Sequence, residues 1–545
     1  MPDFDTQQFE GQISKPISRH SMIGIEIIFC IIILIFGGRL WFLQVKNGEA
    51  YKTQSKNNSL NIEPIFAARG NIYDRNGVLL AWNNVATDDT PWGDRVYTTS
   101  PGFSHILGYV GYPARDNSGN YWQTNIFGRD GVEKKYNDVL SGANGSDIVE
   151  KDISGKVQGG SIVNQPIAGK NVTLTVDSRL QAKMYELLST YIKLANFRSG
   201  SAVMMDSQNG DIIAMTNYPE YDSNIMSSGS DHQTISGYLT NSNTPLLNRA
   251  VSGLFTPGSI VKPYIALEAL KEGVVDPTTK ICSCGSITVP NPYDPTHPGI
   301  FKDYNPNNGW VDIYHAIAVS SNIFFMEVTG GYKGQKGIGI TNLGKALERF
   351  GLADKTGIDL LGEKSGTIPS PEWKAQKFNG EPWRVGDTYN TAIGQYGVQV
   401  TPLEMAHAVA ALSRNGTFVT PHVLKSDSED GVTIDVSTTT SETISDISDS
   451  EYAVVHEGMR LGATVGTGKI FAGLPFTMAS KTGTAQVGPN GTFVNGWVNA
   501  FFPYEKPHYV IVIMLEHGTQ NIGTAQRIAY DFLDWVKVNA PEYTK

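Results

Sequence analysis

Residues 255–262 read FTPGSIVK, and this short run organises the rest of the chain. Pro257 and Gly258 cannot continue a helix, whereas Ser259 through Leu270 can, because Pro263 falls in the first turn, where a missing amide hydrogen costs little. A helix is therefore expected to begin at Ser259, with the serine hydroxyl and amide at its positive end and Lys262 one turn on along the same face. A serine hydroxyl is a poor nucleophile until a neighbouring base takes its proton, and a lysine can do so only when partly neutral. Burial and a second nearby cation both disfavour a protonated lysine. Taken alone, Ser-x-x-Lys is an ordinary exposed helix turn, expected by chance in a chain of 545 residues.

Two further pieces complete the pattern. Residues 315–325, HAIAVSSNIFF, read as a helix broken by a polar turn that lifts Ser320 and Asn322 while Ile323, Phe324 and Phe325 pack below. A plain helix cap is the simpler account of Ser-Ser-Asn in isolation. Residues 476–487, FTMASKTGTAQV, read as a strand whose small Gly483 and Ala485 leave its backbone open to another extended chain. Ser-x-x-Lys, Ser-x-Asn and Lys-Thr-Gly in this order resemble the active-site motifs of penicillin-binding proteins and class A β-lactamases. The resemblance implies acyl transfer on a D-Ala-D-Ala-like peptide. Ser259 would be the nucleophile, Lys262 its base and Lys481 the electrostatic partner. Ser320 would shuttle a proton to the leaving amine, and Asn322 would bond Lys262 and the substrate amide. Lys481 and Thr482 would meet the terminal carboxylate, Gly483 would stay bare for the substrate, and the amides of Ser259 and Thr484 would form the oxyanion hole. Which group finally moves the proton stays open at this point.

Composition is that of a folded protein, with 40% hydrophobic and 10% aromatic residues. A net charge of −10 excludes nucleic acid as the main partner. Cys282 and Cys284 lack the second ligand pair of a zinc site, so neither a metal nor another cofactor is expected; whether they form a bridge or stay as thiols is open. Residues 22–38, MIGIEIIFCIIILIFGG, with the aromatic flank of Trp41 and Phe42, are long and apolar enough for an uncleaved membrane anchor. Glu26 sits one turn from its start, close enough to an interface to snorkel. Lys15 and Arg19 before the span are outnumbered by Arg39, Lys46, Lys52 and Lys56 after it, so flanking charge does not favour an inside N-terminus. The chemistry inferred above nonetheless places the catalytic region outside the cytoplasm.

Between about residue 51 and Val176 the pattern is of short strands broken by Gly, Asn and Asp. Residues 69–81, RGNIYDRNGVLLA, and 128–142, GRDGVEKKYNDVLSG, resemble the two pedestal blocks of class B penicillin-binding proteins. Arg69, Asp74, Arg75 and Glu133 are expected to form a polar network fixing pedestal to catalytic domain. Helical spacing of Leu180, Met184 and Leu188 after an Asp177 cap marks the boundary. The hairpin of SAVMMD (201–206), Asn209-Gly210 and DIIAM (211–215) then opens an antiparallel sheet, followed by Asn248-Arg249-Ala250.

The expected fold is α+β: a transpeptidase domain (177–545) on a β-rich pedestal (45–176), behind an anchor (22–44) and a cytoplasmic tail (1–21). With TGIDLLGEKSG (356–366) and AIGQYGVQVTPLEMA (392–406), the resemblance to class B proteins covers nearly the whole chain after the anchor. Residues 369–395 are similar to the elongation type, which pairs with a SEDS glycosyltransferase and is inhibited by β-lactams. Only about two dozen residues separate Ala81 from the LGYVG block at Leu107, so the head subdomain of relatives is shortened. Residues 425–451, rich in Ser, Thr and Asp, read as a solvated insertion. No glycosyltransferase domain fits before Val176, which excludes a bifunctional class A organisation. A septal transpeptidase, a D,D-carboxypeptidase, a β-lactamase and a scaffold that activates the glycosyltransferase are the competing readings.

Overall fold

The computed structural model describes residues 19–49, 61–151, 157–291, 294–425, 442–520 and 523–544. Of the features read above, Lys15, Lys52, Lys56, most of the cytoplasmic tail and residues 426–441 of the polar insertion lie outside the described residues. The chain divides into two compact units, residues 1–65 with 144–166, and residues 66–143 with 167–545. The first contains the apolar helix Arg19–Trp41, continued by the π-helical turn Phe42–Lys46. Its large side chains are uncovered, Leu34 at 74% and Phe36 at 66%, and the Arg19–Lys46 segment is long and apolar enough to cross a membrane. The same unit holds a three-stranded antiparallel sheet in which Gly145–Lys151 lies between Asn61–Ile65 and Val157–Asn164.

The second unit is built on helices α1 (Ser178–Leu194), α2 (Lys262–Lys271), α3 (Ile313–Ala318), α4 (Asn322–Gly330), α5 (Pro402–Ser413) and α6 (Thr524–Asn539). Its main sheet comprises β1 (Ser199–Asp206), β2 (Ile212–Tyr218), β3 (Ala479–Val487), β4 (Phe493–Phe502) and β5 (Tyr509–Gly518), antiparallel throughout in the order β2-β1-β5-β4-β3. Both faces are covered, so inward residues of alternate parity enter different cores. Ala202, Met204, Ile511, Ile513 and Leu515 pack with Leu180, Met184, Leu188 and Phe532 of α1 and α6. Val203, Met205, Val510, Val512 and Met514 pack with Ile265, Phe324 and Leu403 on the other side. Helix α5 is buried along its whole length, which is why its sequence is apolar all round. Asp177 caps α1 by accepting from the Arg179 amide at 3.0 Å.

Ile72, Leu80, Phe103, Val132 and Leu140 belong to the same core as Tyr264 and Phe324, so residues 66–143 share one hydrophobic interior with the chain that follows. The polar network expected among Arg69, Asp74, Arg75 and Glu133 is instead two separate sets. Glu133, fully buried, takes Arg69 at 2.6 Å on one oxygen and Arg95 at 2.7 Å on the other, within residues 66–143. Asp74 reaches forward, accepting from the Ser178 hydroxyl at 2.6 Å and amide at 3.1 Å at the start of α1. Arg75 pairs with Asp211 at 3.4 Å. Fastening to the catalytic region thus falls to Asp74 and Arg75, because Arg69 and Glu133 face each other behind the first strands.

Candidate active site

Ser259 lies in a 3₁₀ turn, Gly258–Val261, and α2 begins only at Lys262. The expected helix start is thus split, the first turn being tightened, and Pro263 occupies the first turn of α2 without breaking a ladder bond. Gly258 holds this turn in place: its φ is +62°, its amide donates to the Gly394 carbonyl at 3.0 Å, and a Cβ there would meet the Thr484 carbonyl at 2.7 Å.

The broken helix read at residues 315–325 is α3, a turn, and α4. Ser320 sits in the turn at φ +60°, a conformation that costs a non-glycine residue about 1 kcal/mol or more and persists only when its surroundings enforce it. That turn brings Ser320 and Asn322 to two buried lysines. Lys262 Nζ donates to the Ser320 carbonyl and to Asn322 Oδ1, both at 2.8 Å, with Ser320 Oγ at 3.4 Å. Lys481 Nζ donates to Ser320 Oγ at 2.8 Å and to its neighbour's carbonyl, Thr482 O, at 2.9 Å. Ser320 Oγ therefore bridges both ammonium groups, and Thr482 Oγ1 donates to Thr467 Oγ1 at 2.7 Å.

Burial pulls Lys262 down to about 7, against an upward pull from Asp303. Burial, and then the charge of Lys262, hold Lys481 well below the ordinary lysine range. The two lysines differ in their acceptors: Lys262 has a carbonyl, an amide oxygen and the nearby Asp303 carboxylate, whereas Lys481 has one hydroxyl and one carbonyl.

β3 is an edge of the sheet, pairing only with β4 and running without a bulge from Ala479 to Val487. With its amide oriented to satisfy both groups, Gln395 donates to the Gln486 carbonyl at 3.1 Å and accepts from the Gln486 amide at 2.8 Å. Alternate residues of an antiparallel strand present amide and carbonyl to the same side, so those of Thr484 and Thr482 lie, like those of Gln486, on the side away from β4. Gly483 is also constrained from beneath the strand. Its missing Cβ would meet the Pro257 carbonyl at 2.7 Å and Ile260 at 2.9 Å, so it is bare to let the nucleophile turn pack beneath the strand. A cavity of about 410 Å³, lined in part by Thr256, Tyr396, Gln399 and Asn495, adjoins Gln486. Among the described residues no group of three or more His, Cys, Asp or Glu side chains could hold a metal ion.

The family described as "Penicillin binding protein transpeptidase domain" matches residues 200–534, a span that holds all three motifs, and "Penicillin-binding Protein dimerisation domain" matches residues 85–174. This chain is a penicillin-binding protein. Among its relatives, the Peptidoglycan D,D-transpeptidase MrdA of Escherichia coli is 28% identical over 595 aligned positions, covering 91% of this chain and 90% of the relative. Among solved structures, penicillin-binding protein 2 of Pseudomonas aeruginosa, in complex with WCK 5153, superposes with a TM-score of 0.70 at 29% identity, covering 88% of this chain and 98% of that one. The Helicobacter pylori penicillin-binding protein 2, in complex with MreC, gives 0.70 at 25% identity, covering 89% and 100%.

In this penicillin-binding protein Lys262, Ser320, Asn322, Lys481 and Thr482 are joined by hydrogen bonds, and the turn that carries Ser259 packs against Gly483 and Thr484. Sequence reading missed Asp303, whose carboxylate accepts from the Asn322 amide at 2.8 Å, and Gln395, which covers the strand edge at Gln486. Neither stands in the three motifs. Gln395 could have been found from its place in the run 392–406, which was read only as a resemblance.

Proposed function

We propose that this chain is a membrane-anchored peptidoglycan D,D-transpeptidase of elongation type that cross-links stem peptides through a Ser259 acyl-enzyme and is inhibited by β-lactams. The observation that supports the reading is the buried chain of hydrogen bonds Lys262–Ser320–Lys481, with Ser259 in the turn directly before Lys262 and Lys481 on an edge strand of the sheet. Similarity to MrdA over 91% of the chain supports the elongation type.

A donor peptide ending in D-Ala-D-Ala would pair with the outward groups of Thr482 and Thr484 as an added strand, its further residues reaching the cavity beside Gln486. Its terminal carboxylate beside Lys481 and Thr482 favours the charged form of Lys481, and that charge in turn favours Lys262 as the neutral base. Neutral Lys262 then takes the Ser259 proton as Oγ attacks the penultimate carbonyl. The amides of Ser259 and Thr484 bond the developing oxyanion, a contribution of roughly 10²–10³ in rate for each such donor. Ser320 passes a proton to the departing D-Ala amine, and a stem-peptide amine then takes the acyl group and restores Ser259. The catalytic region works outside the cytoplasm, where peptidoglycan is, and a SEDS-family glycosyltransferase is the expected membrane partner.

The deciding experiment exposes the full chain in detergent to a penicillin and follows it by intact-protein mass spectrometry and peptide mapping. A long-lived adduct on the peptide bearing Ser259 is expected. Rapid drug turnover would identify a β-lactamase, and folded protein without adduct would leave only a scaffold role.

The same assay reads the packing of the nucleophile turn. Gly394 has φ +72°, and an added Cβ would lie 2.1 Å from the Gly258 carbonyl. Gly394→Ala must therefore displace the turn that carries Ser259, and a displacement near 1 Å is expected to slow acylation by about 10²-fold. An unchanged rate would show that the turn tolerates the shift.

A further inference from the structure

The left-handed Ser320 turn needs an external support, and it is supplied by a buried cluster behind it. Asp303, 8% exposed, accepts through Oδ1 from the amides of Asn322 and Tyr304, each at 2.8 Å. Through Oδ2 it accepts from the Ser321 hydroxyl at 3.0 Å and from the Ser283 hydroxyl. Ser321 in turn caps α4, accepting from the Phe324 amide at 3.1 Å. The carboxylate thus sits at the positive end of α4, where negative charge is favoured.

Ser283 is itself fixed from both sides. It is fully buried at the end of the short strand Ile281–Ser283, paired with Gly309–Val311, and its hydroxyl also accepts from Asn308 Nδ2 at 3.1 Å. Cys282 and Cys284, left open by the sequence, are bonded to each other around it. The Asp303 amide donates to the Gly285 carbonyl at 2.9 Å, tying the two segments together just beyond the disulfide.

We propose that Asp303, held by the disulfide-bracketed Ser283, is a positioning residue for this reaction, fixing the Ser320–Asn322 turn so that the Ser320 carbonyl and Asn322 Oδ1 face Lys262. The proposal rests on the acyl-transfer reading above. It assigns Ser283 and Asp303 to the support of the site although neither belongs to the three motifs. Asp303 acts in two separable ways. Its oxygens hold the turn, and its charge faces Lys262, opposing the effect of burial. The other charged group set against Lys262 is Lys481 on β3, while α4 presents it with Asn322 and the Phe325 ring, 5.5 Å away.

The test measures the rate of penicillin acylation at Ser259 against pH for the full chain in detergent. Wild-type acylation is expected to rise with pH through about 7, as Lys262 loses its proton. Asp303→Asn keeps an oxygen for the Asn322 amide and removes the charge, so its rising limb is expected to move to lower pH. Asp303→Ala removes both, so its limb is expected to move likewise and its rate above the limb to fall about 10- to 100-fold, the equivalent of one charge-assisted hydrogen bond. An Asp303→Asn limb that coincides with wild type, or an Asp303→Ala protein acylated at the wild-type rate, overturns the proposal. If Asp303→Ala does not fold, the limb of Asp303→Asn decides alone. A wild-type chain that acquires no adduct on Ser259 refutes the acyl-transfer reading instead, so the two failures are distinct.

Discussion

Ser259→Ala is expected to lose the penicillin adduct completely and to lower cross-linking by at least ~10⁴-fold, the scale on which removal of a serine nucleophile registers in other acyl-transfer enzymes. No neighbouring group can take its place. Ser320 Oγ is buried and shared between two ammonium groups, and the two lysines are committed to holding and passing the proton. Stability is expected to be unchanged within ~0.5 kcal/mol, because the hydroxyl lies on a half-buried turn held by backbone bonds and by the packing of glycines. The measurement is peptide mapping beside thermal melting, with cross-linked muropeptides counted in cells that depend on this chain. Cross-linking that persists in those cells would refute the enzymatic reading, whereas growth without cross-linking would expose a scaffold role.

The second large effect concerns folding. Glu133→Ala is expected to destabilise the protein by about 3–5 kcal/mol, since it strands two buried guanidiniums without their shared counter-charge. Arg69 and Arg95 are both essentially inaccessible, so water cannot replace the carboxylate. Burial raises the Glu133 carboxyl, but the Arg95 and Arg69 charges together outweigh it, leaving it below the usual carboxylate range. A folded-state value depressed in this way contributes stability that is complete above the unfolded value, about 4.3, and is lost as pH falls through the folded one. Wild type should therefore lose stability below about pH 4 in part through this group, and Glu133→Ala should show a shallower acid dependence. Chemical unfolding at pH 7 and pH 3.5 checks both; equal acid slopes would remove the pair from the account.

The candidate catalytic groups could be proposed from sequence because such chemistry demands particular residue types at short spacings: Ser259 with Lys262, Ser320 with Asn322, Lys481 with Gly483. The hairpin of β1 and β2 and the broken helix of α3 and α4 were legible for a similar reason, since turn residues and apolar periodicity are local signals. What escaped were groups whose partners lie far along the chain. Arg95 meets Glu133 across 38 residues, and Gln395 meets Gln486 from a different loop. At Gly483 the packing beneath the strand was not legible. A missing side chain says that something comes close, and only the packed structure says that it is Pro257 and Ile260. The acceptors around each lysine were also beyond reach, because they are brought together from segments far apart in the chain.

The open edge of β3 carries a consequence for the protein's behaviour in concentrated solution. An unpaired, apolar-backed strand is a template on which identical chains can zip together and precipitate. Gln395 shortens the unpaired stretch by occupying the backbone of Gln486, and Lys481 Nζ already occupies the Thr482 carbonyl. Gln395 thereby limits self-association along this edge, so Gln395→Ala should lower solubility before it alters the fold.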